Sequence, residues 1–134
     1  MIDLILALSI GATEGWQQAE LTAYCPCAIC CDERTETTAD GTNTDLVPHG
    51  VAASPDVPLG WQVYIPIGTE YLDASRPSRR WFPVDDRGGA LRSDQQRSGM
   101  TRLDLRYRTH ESARRFGRRI AWVYFHAPKP KENK

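Results

Sequence analysis

A chain of 134 residues, 40 % apolar and 25 % charged, has the size and composition of one soluble domain around one core. Its formal net charge of zero hides an asymmetry: residues 1–75 carry 11 acidic groups and one basic group, Arg34, whereas residues 76–134 carry 16 basic and 6 acidic groups. No P-loop, H-E-x-x-H or G-x-S-x-G occurs, so nucleotide hydrolysis, zincin chemistry and the serine-hydrolase elbow lack local support. The two charged halves either neutralise each other within one body or turn the basic half toward an anionic polymer. Nucleic acid ranks last among such polymers, because the basic residues are not interleaved with an aromatic platform motif.

Residues 1–12 contain L-I-L-A-L-S-I-G-A, too short to span a membrane, so no stable membrane insertion is expected. The run is like the apolar centre of an export signal, but no Lys or Arg precedes it. The other reading is a first strand or helix packed on the domain. Residues 20–24 read as a short strand leading to Cys25, Cys27, Cys30 and Cys31, all within seven residues. These four allow disulfides, a metal site or reduced thiols. A Cys30–Cys31 bond would be strained, whereas bridges from Cys25 and Cys27 to Cys30 and Cys31 are easier. Zinc sites usually draw on two separated pairs, and His49 is the one histidine worth testing as a further ligand. Disulfides would place the chain in an oxidising compartment.

Residues 32–50 are a polar loop containing T-A-D-G at 38–41. Residues 51–53 form a short strand, 54–60 a turn dense in Pro and Gly, and 61–67 a strand rich in β-branched and aromatic residues. Residues 68–80 read as an irregular surface insertion. The run 81–84 is strand-like and leads into Asp85, Asp86, Arg87 and the pair Gly88-Gly89, where glycine would permit a turn with positive φ and close approach of a ligand. A polar connection follows. Leu103 and Leu105 then alternate with Asp104 and Arg106, which predicts a strand with one solvated face. Thr109 is a helix N-cap, Glu111 suits the first turn and Gly117 is a C-terminal stop. Residues 118–126 read as a strand covered on both faces, and 128–134 as a disordered tail.

A carboxylate at a strand end, a glycine hairpin and a second carboxylate, Asp104, on a following strand would line one cleft; the alternative is a surface turn beside a solvated strand face. Trp61 and Trp81 would stack on sugars or pack in the core. Arg114, Arg115, Arg118 and Arg119 are either an anion-binding cluster or a solvated face. Five or six short strands and one short helix predict an all-β fold closed on itself. The expected boundaries are an N-terminal apolar segment at 1–18, a barrel at 19–127 and a tail at 128–134.

The order of motifs resembles the three-aspartate (3D) domain family, which is related to the catalytic barrel of membrane-bound lytic transglycosylase A. The matching pieces are T-A-Y-C-P-C-A-I-C-C from Thr22, T-A-D-G from Thr38, G-V-A-A-S-P from Gly50, P-L-G from Pro58, V-Y-I from Val63, D-R-G-G-A from Asp86, L-D-L from Leu103 and F-G-R-R from Phe116. They cover most of the chain. The resemblance implies a six-stranded double-psi β-barrel acting on bacterial peptidoglycan. The second and third family aspartates fall on Asp86 and Asp104. The first falls on Ser54, a departure that puts activity in question, with Asp56 two residues on as a substitute only if the turn bends suitably. A family Thr-Gly pair becomes Arg87-Gly88.

The implied activity is lytic transglycosylation of glycan strands. Asp86 would act as general acid and then base, its pKa raised by burial or by Asp104 or Asp85, while Asp104 would orient it or hold a sugar hydroxyl. Tyr24, Thr38, Ser54, Arg87, Gly88 and Gly89 would line the sugar cleft; Tyr24, Thr38 and Ser54 equally well satisfy local backbone groups. No cofactor is expected. The expected partner is the peptidoglycan glycan strand and the expected state a monomer. The expected location is extracytoplasmic (secreted, periplasmic or cell wall), with a phage or a secretion apparatus as a source. A non-catalytic wall-binding module on the same barrel is the alternative.

Overall fold

A computed structural model of the chain describes residues 12–25, 37–44, 49–66 and 79–129. Six strands, β1 (Gly15–Tyr24), β2 (Val51–Ala53), β3 (Gln62–Tyr64), β4 (Trp81–Asp86), β5 (Thr101–Arg106) and β6 (Arg119–His126), close into a barrel in the order β1-β5-β2-β4-β3-β6. Two pairs, β1/β5 and β2/β4, are parallel and the other four antiparallel. The expected all-β class and six-stranded barrel are therefore present, with the interlocked parallel pairs that a double-psi barrel contains. Closure removes every sheet edge, so short strands such as β2 and β3 keep both neighbours.

The barrel is filled by alternate residues from every strand: Leu21, Val51, Ala53, Val63, Phe82, Val84, Leu103, Leu105, Val123 and Phe125. Period-two patterning puts these side chains on the inner face, and their neighbours in sequence face outward. Phe116 and Ala113 of helix α2 (His110–Phe116) extend the same core. The α2 cap is as expected: the Thr109 hydroxyl accepts a bond from the Ser112 backbone N–H, and Gly117 ends the helix at φ 70°.

Several expectations are corrected. A second helix, α1 (Gly89–Ser98), occupies the stretch read as a polar connection. Its residues are mostly good helix formers, but Leu91 is the one apolar side chain it buries, so no apolar periodicity announced it. Gly99 closes it in the left-handed conformation, its N–H donating to the Gln95 carbonyl at 2.8 Å. Gly88 precedes α1 with φ −126° and Gly89 opens it, so this pair makes no positive-φ hairpin. Strand β1 pairs with β6 from Gly15 onward, which draws the barrel's start into the expected N-terminal segment. The described part of the 61–67 run, residues 61–66, supplies a three-residue strand, β3. Strand β6 is not covered on both faces: Trp122 stays 57 % exposed. The 103–106 strand has no solvated face either, because Arg106 is the largest fully buried side chain among the described residues.

A candidate active site on the outer wall of the barrel

Asp86 and Asp104 come together because β2 lies between them. Ala52 pairs with Asp104 of β5 on one side and with Asp86 of β4 on the other, and Asp104 in turn pairs with Thr22 of β1. Residues directly opposite in a ladder point to the same face, so Asp86, Ala52, Asp104 and Thr22 form one row across four strands on the outside of the barrel. Ala52, whose side chain is a single methyl, stands between the two carboxylates in this row. The β2/β4 ladder steps from Val51–Val84 to Ala52–Asp86 and leaves Asp85 as the extra residue of a bulge. That bulge lets two consecutive aspartates meet different partners.

Asp85 is buried and takes Arg106 in a fork, Nη1 to Oδ1 and Nη2 to Oδ2, both at 2.8 Å. Burial raises the Asp85 carboxyl, against the pull of the two arginine hydrogen bonds. Burial would lower Arg106, but its hydrogen bonds and electrostatic attraction to Asp85 and Tyr24 together outweigh it, so its pKa is raised and the guanidinium stays charged. The pair packs on Gly50: a Cβ there would lie 2.6 Å from Asp85 Oδ2 and also run into the Arg106 guanidinium. This is a close approach that only glycine permits. Arg106 Nη2 also donates to the His49 carbonyl at 3.3 Å.

The Tyr24 hydroxyl joins this ion pair to Asp86. It accepts from Arg106 Nη1 at 3.3 Å and donates to Asp86 Oδ2 at 2.9 Å. Burial, more than any charge, raises its own pKa above the normal tyrosine range. The second Asp86 oxygen, Oδ1, accepts from the backbone N–H groups of Ala39 and Arg87, each at 2.9 Å. Ala39 belongs to the T-A-D-G turn. There Asp40 accepts from the Thr38 hydroxyl at 2.7 Å and from the Thr42 backbone and hydroxyl. Burial works against the Asp40 anion, but the Thr42 and Thr38 bonds prevail and lower its pKa. The Asp40 backbone N–H donates to the Asp85 carbonyl at 3.2 Å, which holds the turn over the bulge.

Asp104 differs from Asp86 in kind. Its one hydrogen-bonded partner among the described residues is the Thr22 hydroxyl at 3.1 Å. Burial lifts its pKa from 3.8 to about 6; Thr22 and Arg102 pull it down and the Asp86 charge adds to the rise. Thus the site holds one carboxylate clasped by three donors and one carboxyl poised to carry a proton in the mildly acid range.

The remaining expected site residues divide. Tyr24 reaches the centre of the site. Thr38 is buried and its hydroxyl is used inside its own turn, accepting from the Thr42 N–H at 3.1 Å. Arg87 turns its guanidinium toward the Ala53 and Ser54 carbonyls, at 3.3 and 3.4 Å, and burial lowers its pKa. It braces the site's edge. Ser54 is corrected: it has no exposed surface with which to line a cleft. Its oxygen accepts from the Arg102 N–H at 3.0 Å and its hydroxyl bonds Asp56. Asp56 also accepts from the Thr101 hydroxyl, so it ties the 54–57 turn to β5 and does not stand in for a missing site aspartate. Gly88 and Gly89 serve the start of α1.

Cys25 is buried at the end of β1; Cys27, Cys30 and Cys31 lie outside the described residues, as does the 1–11 segment. No group of three or more His, Cys, Asp or Glu is placed to hold a metal among the described residues. Trp61 packs against the core at Phe125, with centroids 6.5 Å apart, while Trp81 is 43 % exposed. In the arginine cluster, Arg115 pairs with Glu111, Arg118 with Glu20, and Arg119 lies over the Phe116 ring.

Sequence reading missed the Asp85–Arg106 pair and the need for Gly50. The adjacent aspartates and the glycine were in view, but only the bulge and the closed barrel bring them to Arg106. No family model matches this chain, and no curated protein matches it.

Proposed function

We propose that the protein cleaves peptidoglycan glycan strands as a lytic transglycosylase, with Asp104 as the proton-carrying group and Asp86 as the fixed anion. The reading rests on the pairing of two unlike carboxyls across Ala52, one raised to about 6 and one clasped by three donors. The motif order of the three-aspartate family supplies the substrate class. Relative to the motif-based expectation, the proton donor moves from Asp86 to Asp104. All of the Asp86 bonds are accepted ones, so this arrangement uses it as a negative pole.

Glycosidic cleavage needs an acid on the leaving oxygen and negative charge near an oxocarbenium-like carbon. Asp104 would protonate the glycosidic oxygen as the bond from the muramyl anomeric carbon breaks. Asp86, held by Tyr24, Ala39 and Arg87, would stabilise the positive charge. The ionised Asp104 would then take the proton from the muramyl primary hydroxyl as its oxygen bonds to the anomeric carbon. The glycosidic bond is replaced by an internal one, the proton passes from one sugar oxygen to the other, and no water is consumed. The substrate places the site outside the cytoplasm, and one chain holds all of the groups invoked.

Digestion of purified peptidoglycan, read by mass spectrometry, tests this. Anhydromuramyl ends from the parent and at least a hundredfold fewer from Asp104→Asn are expected. Reducing ends would mean hydrolysis. Binding to the wall with no product from the parent would make the barrel a binding module, the reading that Ser54 in the first family position favours.

A further inference from the structure

The other side of the barrel carries a second surface. The carboxylate row spans β1-β5-β2-β4, so the opposite wall is β4-β3-β6-β1. Across that wall runs another row in perfect register: Trp16 pairs with Tyr124, Tyr124 with Tyr64, and Tyr64 with Trp81. Four aromatic side chains therefore stand side by side on four neighbouring strands, on the outer face. Trp16 is 57 % exposed and Trp81 43 %. Trp122, also exposed, stands two residues before Tyr124 on the same face of β6.

The rings are braced. Trp16 meets Tyr64 and Tyr124 edge-on, with centroids at 6.1 and 5.6 Å. Trp81 meets the same two tyrosines at 5.4 and 6.2 Å. The tyrosines form a central pair with one indole held on each flank, so ring orientation is fixed before any ligand arrives.

The neighbours on this wall are informative. Gln18 pairs with Trp122, and Gln62 pairs with His126. Beside the row the outward residues are aromatic, amide or proline (Trp122, Gln18, Gln62 and Pro83), apart from His126, whose charge partner is Glu14 at 3.7 Å; Glu20 and the exposed Ile120, paired with each other, lie further along β1 and β6. No Lys or Arg stands in the row itself or at the positions flanking it within these strands; among the described residues the nearest along the chain are Arg79 and Arg80, just before Trp81, so the row itself presents no cation to phosphates or anionic lipid headgroups. Carboxylates are likewise absent from the row. Fixed indole faces with uncharged amides beside them suit a neutral polyhydroxylated chain: sugar C–H faces lie on rings, and hydroxyls bond to amides. Three strand steps, roughly 14 Å, separate the backbone at Trp16 from that at Trp81, and the rings lean together through Tyr64, at 6.1 and 5.4 Å, so the platform suits a short stretch of linked sugar rings.

We infer that the Trp16–Tyr124–Tyr64–Trp81 row is a glycan-docking surface, separate from the carboxylate site and on the far side of the barrel. It would hold a second strand, or a distant part of the same polymer, while the carboxylate wall works. The naming of wall glycan rests on the function proposed above; the preference for a neutral sugar chain rests on the face itself.

The test is titration of the full chain with a soluble β-1,4-linked N-acetylglucosamine hexamer, following indole N–H signals by NMR and affinity by calorimetry. Trp16→Ala, Trp81→Ala and Asp104→Asn are titrated alongside, with circular dichroism to show that each is folded. Expected are shifts of the Trp16 and Trp81 indole signals that persist in Asp104→Asn, and at least tenfold weaker binding at these indoles in either tryptophan variant. Binding that persists undiminished in both tryptophan variants overturns the assignment, and so does the absence of any indole shift at millimolar sugar. Concentration-dependent dimerisation lost in Trp81→Ala would overturn it in favour of a self-interface. Sedimentation with phosphatidylcholine vesicles lost in the same variant would overturn it in favour of a lipid surface. Docking without peptidoglycan cleavage would leave this surface standing and remove only the activity.

Discussion

The two walls of this barrel use the same device, a row of side chains in register across four strands, to opposite ends. On the β1-β5-β2-β4 wall the row is polar and sunk among hydrogen bonds: Thr22, Asp104, Ala52 and Asp86, with Tyr24, Arg106 and Asp85 behind it. On the β4-β3-β6-β1 wall the row is aromatic, with two exposed tryptophans. The first wall has a bulge, a buried ion pair and a turn laid over it; the second has regular pairing. Burial, which lifts Asp104, and the three hydrogen bonds that hold Asp86 are what would make one wall chemical. Exposure is what would make the other wall adhesive. Both faces share β1 and β4, so one closed sheet sets the separation between them.

Breaking the polar wall from beneath should have the largest effect. Gly50→Ala pushes a methyl into the Asp85–Arg106 pair, and Arg106→Met leaves Asp85 buried without its fork. Removing one partner of a buried pair costs about 3–5 kcal/mol. Arg106→Met should lose that much in urea denaturation, and Gly50→Ala should fail to accumulate as folded protein. Arg106→Met should also change the docking of Tyr24, and with it activity, while the aromatic wall keeps its sugar affinity in whatever fraction folds.

A smaller effect is expected at Ser54. Ser54→Ala removes the acceptor of the buried Arg102 N–H, which costs about 1–3 kcal/mol when such a donor is left without a partner. Ser54→Asp, which puts the first aspartate of the three-aspartate pattern at this position, sets a carboxylate against Asp56 and should destabilise as much or more without raising activity. A gain in anhydromuramyl products from Ser54→Asp would show that this position belongs to the chemistry.

Asp104 gives the pH dependence. Its folded pKa is raised, so below about 3.8 the folded and unfolded carboxyls are both protonated and no penalty exists. As pH rises toward 6, the unfolded chain ionises first and the folded state is progressively disfavoured. Compared with Asp104→Asn, the parent should therefore lose stability between pH 4 and 6 and hold a constant deficit above, read from denaturant midpoints at several pH values. Activity should fall on the alkaline side of about pH 6 as the acid is lost. Smallest of all is Trp81→Ala, which removes edge contacts worth about 1 kcal/mol and should leave cleavage of short soluble glycans intact.

Much of this was legible from local signals. The Thr109 cap and Gly117 stop, the all-β class and the approach of Asp86 to Asp104 follow from patterning and motif order. What escaped depends on packing from elsewhere in the chain. Arg106 alternates with Leu105 and so looks solvent-facing, yet Gly50, Tyr24 and Asp85 bury it. Strand β6 is apolar throughout and so looks doubly covered, but its outer residues Trp122 and Tyr124 belong to the aromatic wall. Helix α1 is polar on nearly every face and is pinned by Arg102, which pairs with Asp94 at 2.9 Å and sits 3.6 Å from Glu20. Periodicity carries no trace of such a contact.

The division of labour between the two carboxyls is the central claim, and a carbon-detected NMR titration of the aspartate side chains tests it most directly. Asp104 should titrate near 6, and in Asp86→Asn its midpoint should fall, because part of the rise comes from the neighbouring charge. An Asp104 midpoint in the ordinary carboxylate range near 3.8, unmoved by Asp86→Asn, would contradict the account and return this row to a structural role.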